Sequence, residues 1–232
     1  MGMKGRIALS AVVGVVVIGV VSANSGSDDG DGGKGTSASA EHAFGDKGDN
    51  GGARTGDTKK ADARSRAAFG GDGSYQVGKD VKPGTYRTNG NSDGMCYWER
   101  AKDASGDMDS LLANDNVTGS GYVTVKASDK LFKSEGCHDW ETVDPKAEGK
   151  PSAAGFKGDG GMLRVGVDIA PGTYRSAGNT DDQCYWERDK DALHGMDSIL
   201  ANDNVTGTAV VTIGAHDAYF KTAGCKDWKH TG

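Results

Sequence analysis

The sequence is short of the residues that build one large core. Hydrophobic residues make up only 35 % of the chain, and glycine supplies 38 of its 232 residues. That glycine share is about twice the usual ~7 %. Much of the chain must therefore be turn or linker. Positive charge is scarce too: 27 Lys and Arg face 33 Asp and Glu, a net charge of -6. An acidic surface repels phosphate backbones, which argues against nucleic acid as a partner. Cysteine is limited to four residues, and none follows the apolar run near the N-terminus. Lipid attachment at that point is excluded.

What the chain has in quantity is itself. Val77–Trp140 lies on Val165–Trp228 at a constant offset of 88 residues without a gap, and 40 of the 64 positions are identical. A repeat fixes the unit of folding. Each unit carries two cysteines, Cys96 with Cys137 and Cys184 with Cys225. Four cysteines allow three pairings. Duplication favours one disulfide inside each unit, because a unit that folds alone carries its staple along when copied. Four free buried thiols are the competing state. Closing a loop of about 42 residues removes roughly 4 kcal/mol of unfolded-chain entropy.

The N-terminus supports export. Lys4 and Arg6 precede an apolar run over Ile7–Val21, and Val21-Ser22-Ala23 supplies the small residues of a cleavage site. Cleaved secretion and a retained membrane anchor both fit, since the run sits at the lower limit for spanning a bilayer. Asp28, Asp29 and Asp31 after the run give the same orientation in either case, with the C-terminus outside. Disulfides persist in that compartment.

The chain divides into 1–23, a signal peptide or anchor, and 24–68, a disordered linker of Gly, Ser, Asp, Lys and Ala. A first β repeat follows over 69–140, then a tether over 141–155 and a second β repeat over 156–232. The linker lacks the large apolar residues that would offset its conformational entropy. Inside a unit the signals are short strands. Ser74–Val81 leads to a Pro83-Gly84 turn, then a β-favouring run Gly84–Thr88, a turn over Asn89–Gly94 and a strand over Cys96–Arg100. Met108, Leu111 and Leu112 fit a helical turn, while Leu111–Asn114 fits a strand equally. Tyr122–Lys126 alternates cleanly. Val123 and Val125 correspond to Val211 and Ile213, which marks a core face. Tyr122 and Lys126 correspond to Val210 and Gly214, which marks a solvent face. The fold class is all-β: two small disulfide-closed domains of β-sandwich or barrel type, in tandem.

The sharpest local pattern is Cys-Tyr-Trp-Glu-Arg, at Cys96–Arg100 and Cys184–Arg188. On a strand, Cys96 and Trp98 share the core face. Tyr97 and Glu99 face out, as do Tyr185 and Glu187 in the second unit. These four are candidate ligand-binding residues, against the plainer reading of an ordinary half-buried strand. Arg100 points inward, which is costly unless it reaches a carboxylate or the strand ends there. Trp140 and Trp228 are candidates as exposed stacking groups, and the competing role is a lid over the disulfide. Asp115 and Asp203, each between two asparagines, are weak calcium candidates; the same triplets also suit turns. No other metal site and no cofactor is expected. None of the five histidines recurs at the same place in both units: His138 matches Lys226, His194 matches Gly106 and His216 matches Ser128. No nucleophile–base pattern stands out. Catalysis is not expected.

The run Val77–Arg87, followed by Cys96–Arg100, Ala113-Asn114-Asp115 and Gly136–Trp140, resembles a domain of exported proteins and lipoproteins of actinobacterial type. The second unit matches through Asp168–Arg175 and Gly224-Cys225. The resemblance implies a cell-envelope location and brings no activity with it. The expectation is a non-catalytic exported module that binds a cell-wall glycan or a surface protein through two repeated domains. It would touch the membrane only through the N-terminal segment. The alternatives are a structural spacer without a ligand and an enzyme acting on glycan or peptide. Two weak copies of one site would gain avidity on a repetitive ligand.

Overall fold

The computed structural model describes residues 67–231; the export segment and the spacer up to residue 66 lie outside the described residues. Each repeat is built on one very long hairpin. In the first repeat β3 (Gly84–Ala101) pairs antiparallel with β4 (Leu111–Val125), and in the second β9 (Gly172–Asp189) pairs with β10 (Ile199–Ile213). These strands are too long to stay flat, and each bends where its pairing register shifts. In β3 the shifts fall between Thr88 and Asn91 and between Asn91 and Cys96. The expected turn over Asn89–Gly94 is therefore an irregular stretch of one strand. Gly90 (φ +87°) and Gly94 (φ +70°) supply backbone that other residues avoid.

Short strands cover the two halves of each bent hairpin. In the first repeat β1 (Ala67–Phe69) and β6 (Trp140–Thr142) lie along the first half of β3; β2 (Gly73–Gln76) and β5 (Leu131–Glu135) lie along the second. The second repeat repeats this plan with β7 (Gly155–Phe156) and β12 (Trp228–His230), then β8 (Gly161–Arg164) and β11 (Tyr219–Ala223). The only helical element among the described residues is a 3-10 turn at Met108–Ser110. It leads directly into β4, so the turn stops short of Leu111 and Leu112, and the strand reading holds over Leu111–Asn114.

The bend closes each sheet over an aromatic core. Trp98, Phe132, Trp140 and Val123 are fully buried in the first repeat, with Phe69 and Tyr86 beside them. Phe220, Trp228, Tyr174, Val211 and Ile213 do the same in the second. The cysteines pair within repeats, Cys96–Cys137 and Cys184–Cys225. The inward arginines find their carboxylates. Arg100 donates to both oxygens of Asp129 at 2.7 and 3.3 Å, and Arg188 does so to Asp217 at 2.6 and 2.9 Å. Each aspartate also accepts the backbone N–H at the start of its own turn, from Lys126 and Gly214. The pair thus meets the cost that an unpaired buried charge would carry.

The two repeats are not separate beads. They pack through a seam in which the free edge of β4 meets the second repeat. Ser120 pairs with Gly161 in a parallel bridge, and the N–H groups of Ser120 and Thr124 donate to the carbonyls of Gly160 and Ala192. Close approach depends on glycine at both sides. A Cβ on Gly119 would lie 2.5 Å from the carbonyl oxygen of Gly160, and one on Gly161 would lie 2.2 Å from that of Ser120. The seam overturns the solvent assignment of Tyr122, which is 2 % exposed. Its ring lies 5.1 Å from that of Tyr219, and its hydroxyl donates to Asp168 at 2.7 Å. The counterpart Val210 is 60 % exposed, because among the described residues no strand covers β10 there. Lys126 is exposed, as expected.

Candidate functional site

The Cys-Tyr-Trp-Glu-Arg strands place Tyr97 and Glu99 on the outer face of the first repeat. The Tyr97 hydroxyl donates to Glu99 Oε2 at 2.7 Å, and Asn114 Nδ2 donates to the Tyr97 hydroxyl at 3.5 Å. Partial burial and then the Glu99 carboxylate push the Tyr97 phenol up to about 12. It is a neutral donor at any physiological pH. Cross-strand pairing puts Lys133 beside Glu99 and Glu135 beside Tyr97. Lys133 is half-buried and Glu135 exposed, and the two pair with each other at 3.5 Å. The result is an open sheet face with a hydroxyl, an amide, carboxylates and an ammonium in one row.

The same row exists in the second repeat but faces protein. Tyr185 donates to Glu187, and Asn202 donates to Tyr185 at 3.2 Å. Burial, and then Glu187, raise the Tyr185 pKa further than in the first copy. Glu187 is only 7 % exposed. Lys221, the counterpart of Lys133, approaches Glu187 at 3.8 Å and donates to Asp115 of the first repeat at 2.8 Å. Burial pulls the Lys221 ammonium down, but Asp115 and Glu187 outweigh it and hold the group above its ordinary value. The two copies of the candidate face are therefore not equivalent. One is open and one lies in the seam, so the expectation of two like sites per chain is withdrawn.

The remaining candidates resolve as follows. Trp140 and Trp228 are buried, at 0 % and 1 % exposed, so neither offers a stacking surface. Their indole N–H groups donate inward to Ser134 and Thr222, each at 2.9 Å. Asp115 and Asp203 sit within β4 and β10 rather than in turns. On a strand the neighbouring asparagines point to the opposite face, so the three side chains do not converge on one ion. Asp115 is also taken by Lys221. Among the described residues no group of three His, Cys, Asp or Glu side chains is placed to hold a metal.

Sequence reasoning missed the seam residues. His194 stands its imidazole edge-on against Trp98, with centroids 4.7 Å apart, and its Nε2 donates to the Tyr122 carbonyl at 2.7 Å. Burial, the largest influence, lowers its pKa, in keeping with a neutral ring. It does this from a positive φ of +57°, at a position where the first repeat has glycine, Gly106 at +76°. A non-glycine residue there carries about 1–2 kcal/mol of strain. Arg100 adds a bond to the Leu193 carbonyl at 2.9 Å, and Arg87 faces Asp168 at 3.5 Å. Asp189 lies at the same seam, 3 % exposed, with Oδ2 unpartnered. Burial and then Glu187 push its carboxyl up to about 8, against the opposing pull of Lys221. One signal was present in the sequence. Tyr122, Met162, Asp189, His194 and Tyr219 are all positions where the copies differ, facing Val210, Ser74, Ala101, Gly106 and Leu131.

Two disulfide-closed β units, locked by a polar and aromatic seam and carrying one open polar face, define a class of extracellular tandem β module. Within that class the chain belongs to the Rv1352-like extracellular domain family, whose model matches residues 67–141 and 154–229. The protein is accordingly extracellular or displayed at the cell surface. No curated protein and no solved structure matches the chain.

Proposed function

We propose that the protein is a non-catalytic extracellular binding module, and that it engages a surface ligand through the open face of its first repeat. One observation carries this reading. The Tyr–Glu–Asn–Lys row is kept in both copies, and in the second copy its lysine, Lys221, already holds the first repeat through Asp115. A face that binds protein in one copy and stands free in the other is a docking face awaiting a partner. That favours a surface protein over a cell-wall glycan as the ligand. Its flat, polar character fits rim-type recognition by hydrogen bonds and ion pairs rather than capture of a small molecule.

The test is retention of the full-length protein on purified envelope proteins and, separately, on purified envelope glycan. The Tyr97→Ala, Glu99→Gln double variant should lose retention on the protein fraction while keeping the melting temperature within a few degrees. Retention equal to that of the unaltered protein would reject this face as the site. Retention on the glycan alone would reject the protein ligand.

A further inference from the structure

The seam joins two unlike surfaces, a loop side on the second repeat and a β4-edge side on the first, and each repeat contains both. From the second repeat, Lys221 donates to Asp115, while Asp168 and the carbonyls of Ala192 and Leu193 accept. From the first repeat, Arg87, the Thr124 N–H and Arg100 supply the matching donors. By the repeat offset, the first repeat keeps its own loop side, in Lys133, Asp80, Ala104 and Ser105. The second keeps its own edge side, in Asp203, Arg175, Thr212 and Arg188; the bonds made by Tyr122 and His194 have no counterpart at Val210 and Gly106. Both sides are open. Asp80, Asp203, Arg175 and Thr212 are exposed, and the Lys133 side chain is 41 % exposed. Beside them β10 has β9 on one side and no strand on the other among the described residues. A Cβ on Gly207 meets nothing within 4 Å, where its counterpart Gly119 is pressed against Gly160. Trp186 is half-buried where its counterpart Trp98 lies fully under His194.

We propose that a second copy of this chain docks the loop side of its first repeat onto the open β10 edge of the second repeat, repeating the seam between molecules. This deepens the reading of the open face as a protein-docking face, and names the partner. The pairs would be Lys133 with Asp203 and Asp80 with Arg175, with the Thr212 N–H and Arg188 reaching the carbonyls of Ala104 and Ser105. A strand edge with unpaired N–H and C=O groups is a ready template for such addition. The contact joins unlike surfaces, so it does not close on itself and propagates into linear arrays.

It is weaker than the internal seam by design of sequence. Val210, Leu131, Ser74 and Gly106 replace Tyr122, Tyr219, Met162 and His194, which removes most of the apolar contact. Gly160 is an extra residue in the second repeat: Asp72 and Asp159 bond to matching glycines at one spacing, while Gly73 and Gly161 match at the next. One backbone bond is lost with it. One change works the other way, since Ala101 stands where Asp189 buries a carboxylate. The assembly should therefore form only where the protein is crowded, as it is on a surface.

Sedimentation velocity of the full-length protein tests this from about 10 µM to about 1 mM. The weight-average sedimentation coefficient should rise with concentration and fall back in high salt. Asp203→Lys sets two ammonium groups against each other and should weaken association more than about tenfold. Adding Lys133→Asp to it restores the pair with reversed sign and should restore association. Val210→Tyr should strengthen it. A coefficient that stays flat in both the unaltered protein and Val210→Tyr overturns the proposal, and so does association indifferent to Asp203→Lys. Asp203 lies outside the Tyr97–Glu99 row. Retention on envelope protein that survives Asp203→Lys would thus refute self-docking as the source of retention and leave the ligand face standing.

Discussion

Asp189 buries an unpartnered carboxyl oxygen in the seam, and its removal has a calculable signature. The carboxyl sits at the end of β9, packed against Lys221 and Glu187 from its own repeat and near Asp115 from the other. Burial and Glu187 together raise it to about 8 from an ordinary 3.8. Between those values the folded state holds one proton more than the unfolded state. Its contribution to stability is thus complete below the lower value and declines as pH rises toward the upper one. One proton is worth about 1.4 kcal/mol per pH unit, so the step from about pH 5 to about pH 7 costs up to about 2.7 kcal/mol. Sharing of the titration with Glu187 and Lys221 brings the expected figure to roughly 1–3 kcal/mol. His194 works in the opposite direction, since burial lowers its pKa and stability falls as its unfolded form takes up a proton below about pH 6.5. Both proteins in the comparison carry it, so it cancels in their difference. Asp189→Ala is the right change, because the first repeat has Ala101 at this position in the same strand. Thermal melts at both pH values should show the unaltered protein losing stability relative to Asp189→Ala as pH rises, by about 2–4 °C for each kcal/mol. At about pH 7 the variant should be the more stable of the two. Parallel pH profiles for both proteins would show that Asp189 is ionised in the fold and would refute the reasoning.

Three further outcomes follow from the packing. Gly119→Ala should cost several kcal/mol in chemical unfolding, because its Cβ meets the Gly160 backbone, whereas Gly207→Ala at a similar φ should cost only the ~1–2 kcal/mol of left-handed backbone. Arg100→Ala should destabilise by about 3–5 kcal/mol by leaving Asp129 buried and unpaired. The matching Arg188→Ala should cost less, since that side chain is 28 % exposed against 5 % for Arg100 and water can take its place. Each disulfide closes a separation of 41 residues, worth roughly 4 kcal/mol. Reduction should therefore lower the melting temperature sharply, and urea titration of Cys96→Ala, Cys137→Ala measures one bridge alone.

Much of each repeat could be read from residues alone. Alternation over Tyr122–Lys126 and its copy placed Val123, Val125, Val211 and Ile213 inward, where they are. The inward aim of Arg100 called for a carboxylate or for the strand to end there, and Asp129 supplies the carboxylate. What the sequence hid lay at distances that periodicity does not encode. Glycines at Gly90 and Gly94 suggest a turn, yet the same φ values also serve a bulged strand, and only the partner strand β4 decides between them. Trp140 and Trp228 have the sequence profile of exposed rings or of lids alike. The hydroxyls of Ser134 and Thr222, brought beneath them by β5 and β11, turn them inward.

By itself the sequence determined the unit: its length, its pair of cysteines, its core face and the row of Tyr97 and Glu99. Those follow from local spacing and from comparison of two copies under one set of sterics. Only the tertiary structure decided that the copies play different parts. Variation at Tyr122 and Val210 looks like tolerance when each repeat is read as an isolated domain, because a solvent face and a once-used interface both vary between copies. Packing one edge onto the other repeat breaks that equivalence. It buries Tyr122 and Glu187 and draws Lys221 against Asp115, leaves Val210 exposed and Glu99 and Lys133 half-exposed, and so divides one duplicated surface into a seam and a docking face.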